Sequence, residues 1–245
     1  MKRQQNNAPI LERIRRIKAN HPAWGYRRVW AYLKYRQLLP VNRKRIYRLM
    51  KKHELLVQPN WRLKAKRTGH RSKLRAKRPN QVWGIDMTKI MVPSWGWMYL
   101  TVTLDWYTKK IVGYDLSVQS KTDDWLRALD RAVNQQFPNG IRDHDKRLVL
   151  VCDNGSQPTS QRFMKEVAGL NIKQIFTSYN NPKGNADTER VMRTIKEDLV
   201  WCNEFKHPAD LQTALDQWVW QYNYDYPHSA IGYATPCEFE RSYAA

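Results

Sequence analysis

No run of twenty apolar residues occurs anywhere in this 245-residue sequence, and its start, Met1-Lys2-Arg3-Gln4-Gln5-Asn6, lacks the apolar segment of a secretory leader. A membrane span and a cleaved leader are therefore not expected, and the expectation is a soluble cytoplasmic protein with no membrane partner. Cysteine is scarce. Cys152, Cys202 and Cys237 are odd in number and far apart, which excludes a disulfide framework or a CxxC zinc site. The six histidines are dispersed, and His21 with His53 would need two further ligands that do not stand nearby. Acid is almost missing from the first third. Residues 1–80 carry Glu12 and Glu54 against 25 Lys and Arg, whereas residues 81–245 carry 20 acids against 18 bases.

The net charge of +21 is thus concentrated in a basic module joined to a nearly neutral body. Such a concentration favours a polyanion through phosphate contacts and counterion release. A solvated tail or an arm for ribosomal RNA is the alternative. Eleven Trp, thirteen Tyr and an apolar fraction of 42% exclude a disordered chain and allow a packed core.

Three helical segments read out of residues 1–57. Ile10, Ile14 and Ile17 form one face after Pro9, and Val29, Trp30, Tyr32 and Leu33 mark a second helix from Gly25 to about Gln37. A third opens after Asn42, a good N-cap, with Ile46, Leu49, Met50 and His53 inside and Arg43, Lys44, Arg45, Arg48, Lys51 and Lys52 outside. Short loops join them, as in a helix-turn-helix with a basic recognition helix. A small bundle with a solvated basic face fits the same pattern. Residues 58–80 show no periodicity and carry nine basic side chains, among them Arg62, Lys64, Lys66 and Arg67, with no acid. They read as an extended arm that lies along DNA, or as a flexible linker.

After Asn80 the pattern changes to strands, over Gln81–Val92, Trp97–Trp106 and Lys109–Val118. A helix capped by Thr122 runs to Phe137. A short buried strand, Leu148–Cys152, is followed by a helix over Ser160–Ala168, a strand over Ile172–Thr177, and helices near Ala186–Asn203 and Pro208–Tyr224. This order predicts an α/β body over residues 81–245, a mixed sheet with flanking helices, preceded by the small all-α module.

Three acids stand out by position. Asp86 interrupts the apolar strand Val82-Trp83-Gly84-Ile85-Asp86, where a carboxylate is costly unless paired or bound to metal. Asp153 ends a buried strand at the edge where α/β sheets place chemistry. Glu189 lies in the first turns of a helix that presents Arg193 and Lys196 on the same side. Exactly-spaced signatures are stronger than single acids: 35 residues separate Asp153 from Glu189, and Lys196 follows seven after it.

At this point the chain resembles the retroviral-integrase (DDE) superfamily and its insertion-sequence transposases. VWGIDMT, CDNGSQPTS and NPKGNADTERVMRTIKED look like its three catalytic segments. HPAWGYRRVWAYL and YNYDYPHSAIGYATPCEFE resemble the helix-turn-helix and closing segments of second-frame (OrfB) products, so the likeness covers about residues 20–240. The resemblance implies an RNase H-like fold in which Asp86, Asp153 and Glu189 bind two Mg²⁺ (or Mn²⁺) ions. It implies cleavage at element ends and strand transfer by a 3′-hydroxyl, without a covalent enzyme intermediate. Hard divalent ions want carboxylate oxygens, which accounts for the residue types. Terminal inverted repeats and target DNA are the implied partners, with a homodimer or higher oligomer assembled on them. Cys152 and Pro158 stand where the family often has Ser and Tyr, a matter of local packing. No counterpart of the first-frame part, or of the retroviral zinc module, is read in the sequence. An RNase H-like nuclease that only cuts, and a non-catalytic DNA-binding protein, are the competing functions.

Overall fold

The computed structural model describes residues 7–57, 74–141, 147–177 and 184–244. Arg62, Lys64, Lys66 and Arg67 of the expected arm lie outside the described residues. The chain divides into two compact units, Met1–Gly69 with Asp225–Thr235, and His70–Tyr224 with Pro236–Ala245.

In the first unit the isoleucine spacing does what its period requires. Helix α1 (Ala8–Asn20) buries Ile10, Ile14 and Ile17, with Pro9 in its first turn. Helix α2 (Tyr26–Ala31) continues as a wider π turn over Tyr32–Arg36 and buries Val29, Ala31 and Leu33. Helix α3 (Arg43–Lys52) starts where Asn42 Oδ1 accepts from the Lys44 N–H at 2.8 Å, and it buries Ile46, Leu49 and Met50.

The return of Asp225–Thr235 to this unit departs from the expected single body over 81–245. The reason is aromatic. Trp24, 1% exposed, stacks on His21 and meets Tyr32 and Tyr226 edge-on at 5.5 and 5.3 Å. The Arg28 guanidinium lies 4.4 Å from the Tyr226 ring centroid, and Arg36 pairs with Asp225 at 3.5 Å. A large apolar side chain at the surface of a three-helix unit needs cover, and residues about two hundred positions away supply it.

The second unit is built on a five-stranded sheet of order β3-β2-β1-β4-β5. Strands β1 (Val82–Val92), β2 (Gly96–Asp105) and β3 (Ile111–Ser117) form an antiparallel meander. Strands β4 (Val149–Cys152) and β5 (Lys173–Phe176) run parallel to β1 on its other side. Helix α4 (Thr122–Gln136) packs on β2 and β3. It starts one residue beyond its cap: the Lys121 N–H donates to Asp124 Oδ2 at 2.6 Å, so the expected cap, Thr122, is the first helical residue. Helix α5 (Gln161–Gly169) is capped by Ser160, whose hydroxyl accepts from the Phe163 N–H.

Helix α6 (Ala186–Ile195) gives way to a π turn over Lys196–Val200. Helix α7 (Pro208–Tyr224) follows, and α8 (Pro236–Ala244) had no expected counterpart. Among the described residues no helix is long and apolar enough to cross a membrane.

The main core occupies one face of the sheet. Trp83 and Ile85 of β1 and Leu150 and Cys152 of β4 pack there with Trp125 and Leu129 of α4 and Phe163 and Val167 of α5. Side chains alternate along a strand, so Gly84, Asp86 and Val151 belong to the opposite face. Helix α6 packs on β1 and β2 at that face.

Candidate active site

Register brings the two aspartates together. Strands β1 and β4 pair Trp83 with Leu150 and Gly84 with Val151, and two residues further on stand Asp86, within β1, and Asp153, just past the end of β4. The Asp86 carboxylate accepts from the Met87 N–H at 2.8 Å, and Asp153 Oδ1 accepts from the Gly155 N–H at 3.1 Å. Asn154 Nδ2 donates to the Thr177 carbonyl, and the Thr177 N–H to the Cys152 carbonyl at 2.9 Å, so the ends of β4 and β5 are tied beside Asp153.

Glu189 arrives from helix α6, and Gly84 lets it come close. A Cβ on Gly84 would overlap Thr188 Oγ1 and Trp106 Nε1 and lie 2.8 Å from Asn185 Oδ1. The first turn of α6 therefore rests on the β1 backbone. Trp106 Nε1 donates to Thr188 Oγ1 at 3.1 Å, Asn185 Nδ2 donates to the Ile85 carbonyl at 3.3 Å, and Lys109 pairs with Asp187 at 3.3 Å.

The charges of Asp153 and Glu189 reach Asp86. Burial pushes the Asp86 carboxyl up to about 6, against the Met87 N–H, which lowers it; the charges of Asp153 and Glu189 raise it further. Among the described residues no three His, Cys, Asp or Glu side chains are gathered closely enough to cage an ion as they stand. The donor chemistry nevertheless suits a hard divalent cation: Asp86 and Asp153 stand at neighbouring strands, and Glu189 is on the helix packed against that face. Cys152 is a core residue whose thiol burial pushes up to about 12, and Pro158 is buried with its carbonyl bound to Gln174 Nε2 at 2.8 Å. Both are packing residues.

The family model described as Integrase core domain matches residues 76–182, a second of the same description matches 170–236, and the model described as HTH-like domain matches 4–64. The chain belongs to the insertion-sequence transposases of the DDE superfamily. The transposase InsD of insertion element IS2A/D/F/H/I/K from Escherichia coli is 27% identical over 253 residues, covering 99% of this chain and 81% of that protein. InsD of insertion element IS2-9 from strain K12 matches at the same identity, with 80% of its length covered.

The HTLV-2 integrase catalytic core domain in complex with magnesium superposes with a TM-score of 0.51 at 20% identity, over 68% of this chain and 99% of that one. A simian T-cell lymphotropic virus intasome in complex with PP2A regulatory subunit B56 gamma gives 0.55 at 18%, over 89% and 70%. Together with the mixed sheet, these likenesses identify the fold of this transposase as RNase H-like.

The basic side chains separate into groups. Arg43, Lys44, Arg48, Lys51 and Lys52 are exposed on α3. Arg45 is half-buried, with its Nε and Nη2 both donating to Asn7 Oδ1, at 3.0 and 2.8 Å. In the catalytic unit, Arg193 is exposed and pairs with Glu197 at 3.3 Å, while Lys196 is half-buried at the start of the π turn. Gly84, Asn185, Thr188 and Trp106 were not singled out from the sequence. A glycine inside an apolar strand is the signal that marks such a close approach.

Proposed function

We propose that Asp86, Asp153 and Glu189 are the catalytic residues of this transposase and ligands of two Mg²⁺ (or Mn²⁺) ions. On this reading the site cuts DNA at the element ends and joins the freed 3′-hydroxyl to target DNA. The observation that supports the reading is that Asp86 and Asp153 stand at the sheet face opposite the main core, against which the helix bearing Glu189 packs, with the charges of Asp153 and Glu189 adding to the burial that raises the Asp86 pKa. Bound there, the ions would polarise the attacking and leaving oxygens of an in-line displacement. Water or a 3′-hydroxyl is the nucleophile, so no Ser, Tyr or Cys need attack. The chain's own contribution is geometric. Strands β1 and β4 hold two carboxylates in register, and α6 adds the third, with Arg193 and Lys196 placed one and two turns beyond it for phosphate contacts.

DNA is held chiefly by the helical module of residues 1–57, through Arg43, Lys44, Arg48, Lys51 and Lys52, with Arg62, Lys64, Lys66 and Arg67 of the 58–80 arm following the backbone. Two element ends must be brought together, so the acting form is a homodimer or a higher oligomer on DNA. It works in the cytoplasm, on the nucleoid of a prokaryotic host.

The test is to incubate the protein and Mg²⁺ with labelled element-end duplex and to look for joined product. Joining supports the proposal. Cutting alone assigns a nuclease, and binding alone a repressor.

A further inference from the structure

We infer that Gly84, Asn185, Thr188 and Trp106 are positioning residues that set the separation of the Asp86 and Glu189 carboxylates, and thereby the ion that the site prefers. The inference rests on the proposed role of those two acids. Glu189 directly follows Thr188, and Asp86 lies two residues beyond Gly84 on the same face of β1. The height of α6 above the strand at Gly84 therefore fixes how far apart the two carboxylates start.

That height is set by a polar seam. Gly84 has no side chain to hold the helix off, and Thr188 and Asn185 occupy the space a Cβ would need. Thr188 is fully buried with its hydroxyl bound to the Trp106 indole, and Asn185, 5% exposed, bonds the carbonyl of Ile85, the residue next to Asp86. Asn185 Oδ1 accepts no hydrogen bond among the described residues. Leaving such an oxygen buried is costly, and an apolar seam of the same shape would avoid that cost. What an apolar seam does not supply is direction: hydrogen bonds fix the rotation and height of a helix, whereas packed methyl groups let it slide. Lys109, paired with Asp187, holds the flank of the same turn.

The consequence falls on the metal. Mg²⁺ demands near-octahedral geometry at about 2.0–2.1 Å, whereas Ca²⁺ accepts flexible coordination at about 2.3–2.6 Å. Lifting α6 should therefore weaken Mg²⁺ much more than Ca²⁺.

The experiment uses the full chain with Gly84→Ala, Thr188→Ser and Thr188→Val. Mg²⁺ and Ca²⁺ affinities are read from metal-dependent melting, alongside joining and binding of element-end duplex. Gly84→Ala is expected to keep DNA affinity within about twofold and to lose joining by about 100-fold, as a misplacement of an ångström does. Its Mg²⁺ affinity should fall by at least about tenfold, with Ca²⁺ changed by less than about threefold. Thr188→Ser keeps the acceptor oxygen and should match the parent. Thr188→Val has nearly the same shape, removes the oxygen that accepts from the Trp106 N–H, and should shift the Mg²⁺/Ca²⁺ ratio in the same direction as Gly84→Ala. If Gly84→Ala does not fold, the Ser/Val pair decides. A parental Mg²⁺/Ca²⁺ ratio in a folded Gly84→Ala protein, or identical behaviour of Ser and Val, overturns the inference. Should Glu189→Gln join DNA normally, the reading of the site itself fails. Should Glu189→Gln be inactive while Gly84→Ala is parental, only the positioning role fails.

Discussion

Arg45 and Asn7 are joined by two hydrogen bonds, from Nε and Nη2 to the same Oδ1 oxygen, across 38 positions of sequence. The pair ties the first turn of α3 to the residue preceding α1. It gives Arg45 a different duty from its neighbours on the same helix.

The first prediction divides the basic face accordingly. Arg45→Ala should lower the melting temperature of the first unit, since breaking a charge-assisted bond costs about 1.5–3 kcal/mol. Lys44→Ala and Arg48→Ala should leave melting unchanged and each reduce the slope of log affinity against log salt by about one. Titrations at several salt concentrations, with calorimetry on the same variants, check both halves. A parental melting point for Arg45→Ala would return it to the DNA-contacting set.

The second concerns Glu189→Gln. The substitution removes one hard oxygen ligand and one repelling charge while nearly keeping shape. Joining should fall by about a thousandfold or more, the equivalent of several kcal/mol of lost charge stabilisation, with DNA affinity little changed. Without metal the variant should be at least as stable as the parent, and Mg²⁺ should raise its melting temperature less. Lower metal-free stability with retained joining would instead mark Glu189 as a structural ion-pair partner.

The third follows from the raised pKa of Asp86. Its folded value, about 6, lies above the ordinary 3.8, so the folded protein holds this proton more tightly than the unfolded chain does. The stability it contributes is complete below about pH 3.8 and is lost as pH rises through about 6, on the order of 2–3 kcal/mol. Asp105, buried and also raised to about 6, has the same sign. The informative quantity is therefore the difference between the parent and Asp86→Asn, which should be flatter across that window. Saturating Mg²⁺ should oppose the loss in the parent, because the ion and the proton compete for the same oxygens. Parallel metal-free pH–melting curves for the two proteins would refute this account.

The fourth concerns Tyr226. It covers Trp24 and lies beneath the Arg28 guanidinium. Tyr226→Ala should destabilise the first unit by about 3 kcal/mol or more, as large aromatic truncations do, and weaken DNA binding. The metal-induced rise in melting of the catalytic unit should persist. Calorimetry that resolves two transitions reads both effects, and unaltered melting of the first unit would count against the assignment of Tyr226 to its core.

Much of this architecture was legible because it is periodic. Ile10, Ile14 and Ile17 announce a helix face, the apolar runs around Asp86 and Asp153 announce strands, and Asn42 announces a helix start. The spacing of Asp153 and Glu189, which resembles a known signature, likewise singled out the acids now proposed for catalysis. What stayed hidden depends on contacts between distant residues. Nothing local to Tyr226 or Asp225 says that they complete a cluster around Trp24. Gly84 reads as a weak strand residue until Thr188 and Asn185 are seen against it. The cap of α4 falls one residue before Thr122, a good cap by type, because Asp124 reaches back to the backbone of Lys121.

The contribution of Asp225–Thr235 to the first unit also sets a timetable for synthesis. Domains ordinarily fold from the N-terminus as the chain emerges. Here Trp24 lacks its Tyr226 cover until everything before Tyr226 has been translated. By then the catalytic body through Tyr224 has already been made. A ribosome stalled midway, or a message broken before codon 226, would release a chain with the basic helices but without their aromatic cover. Competence of the first unit is thereby reserved for copies that also carry all three acids.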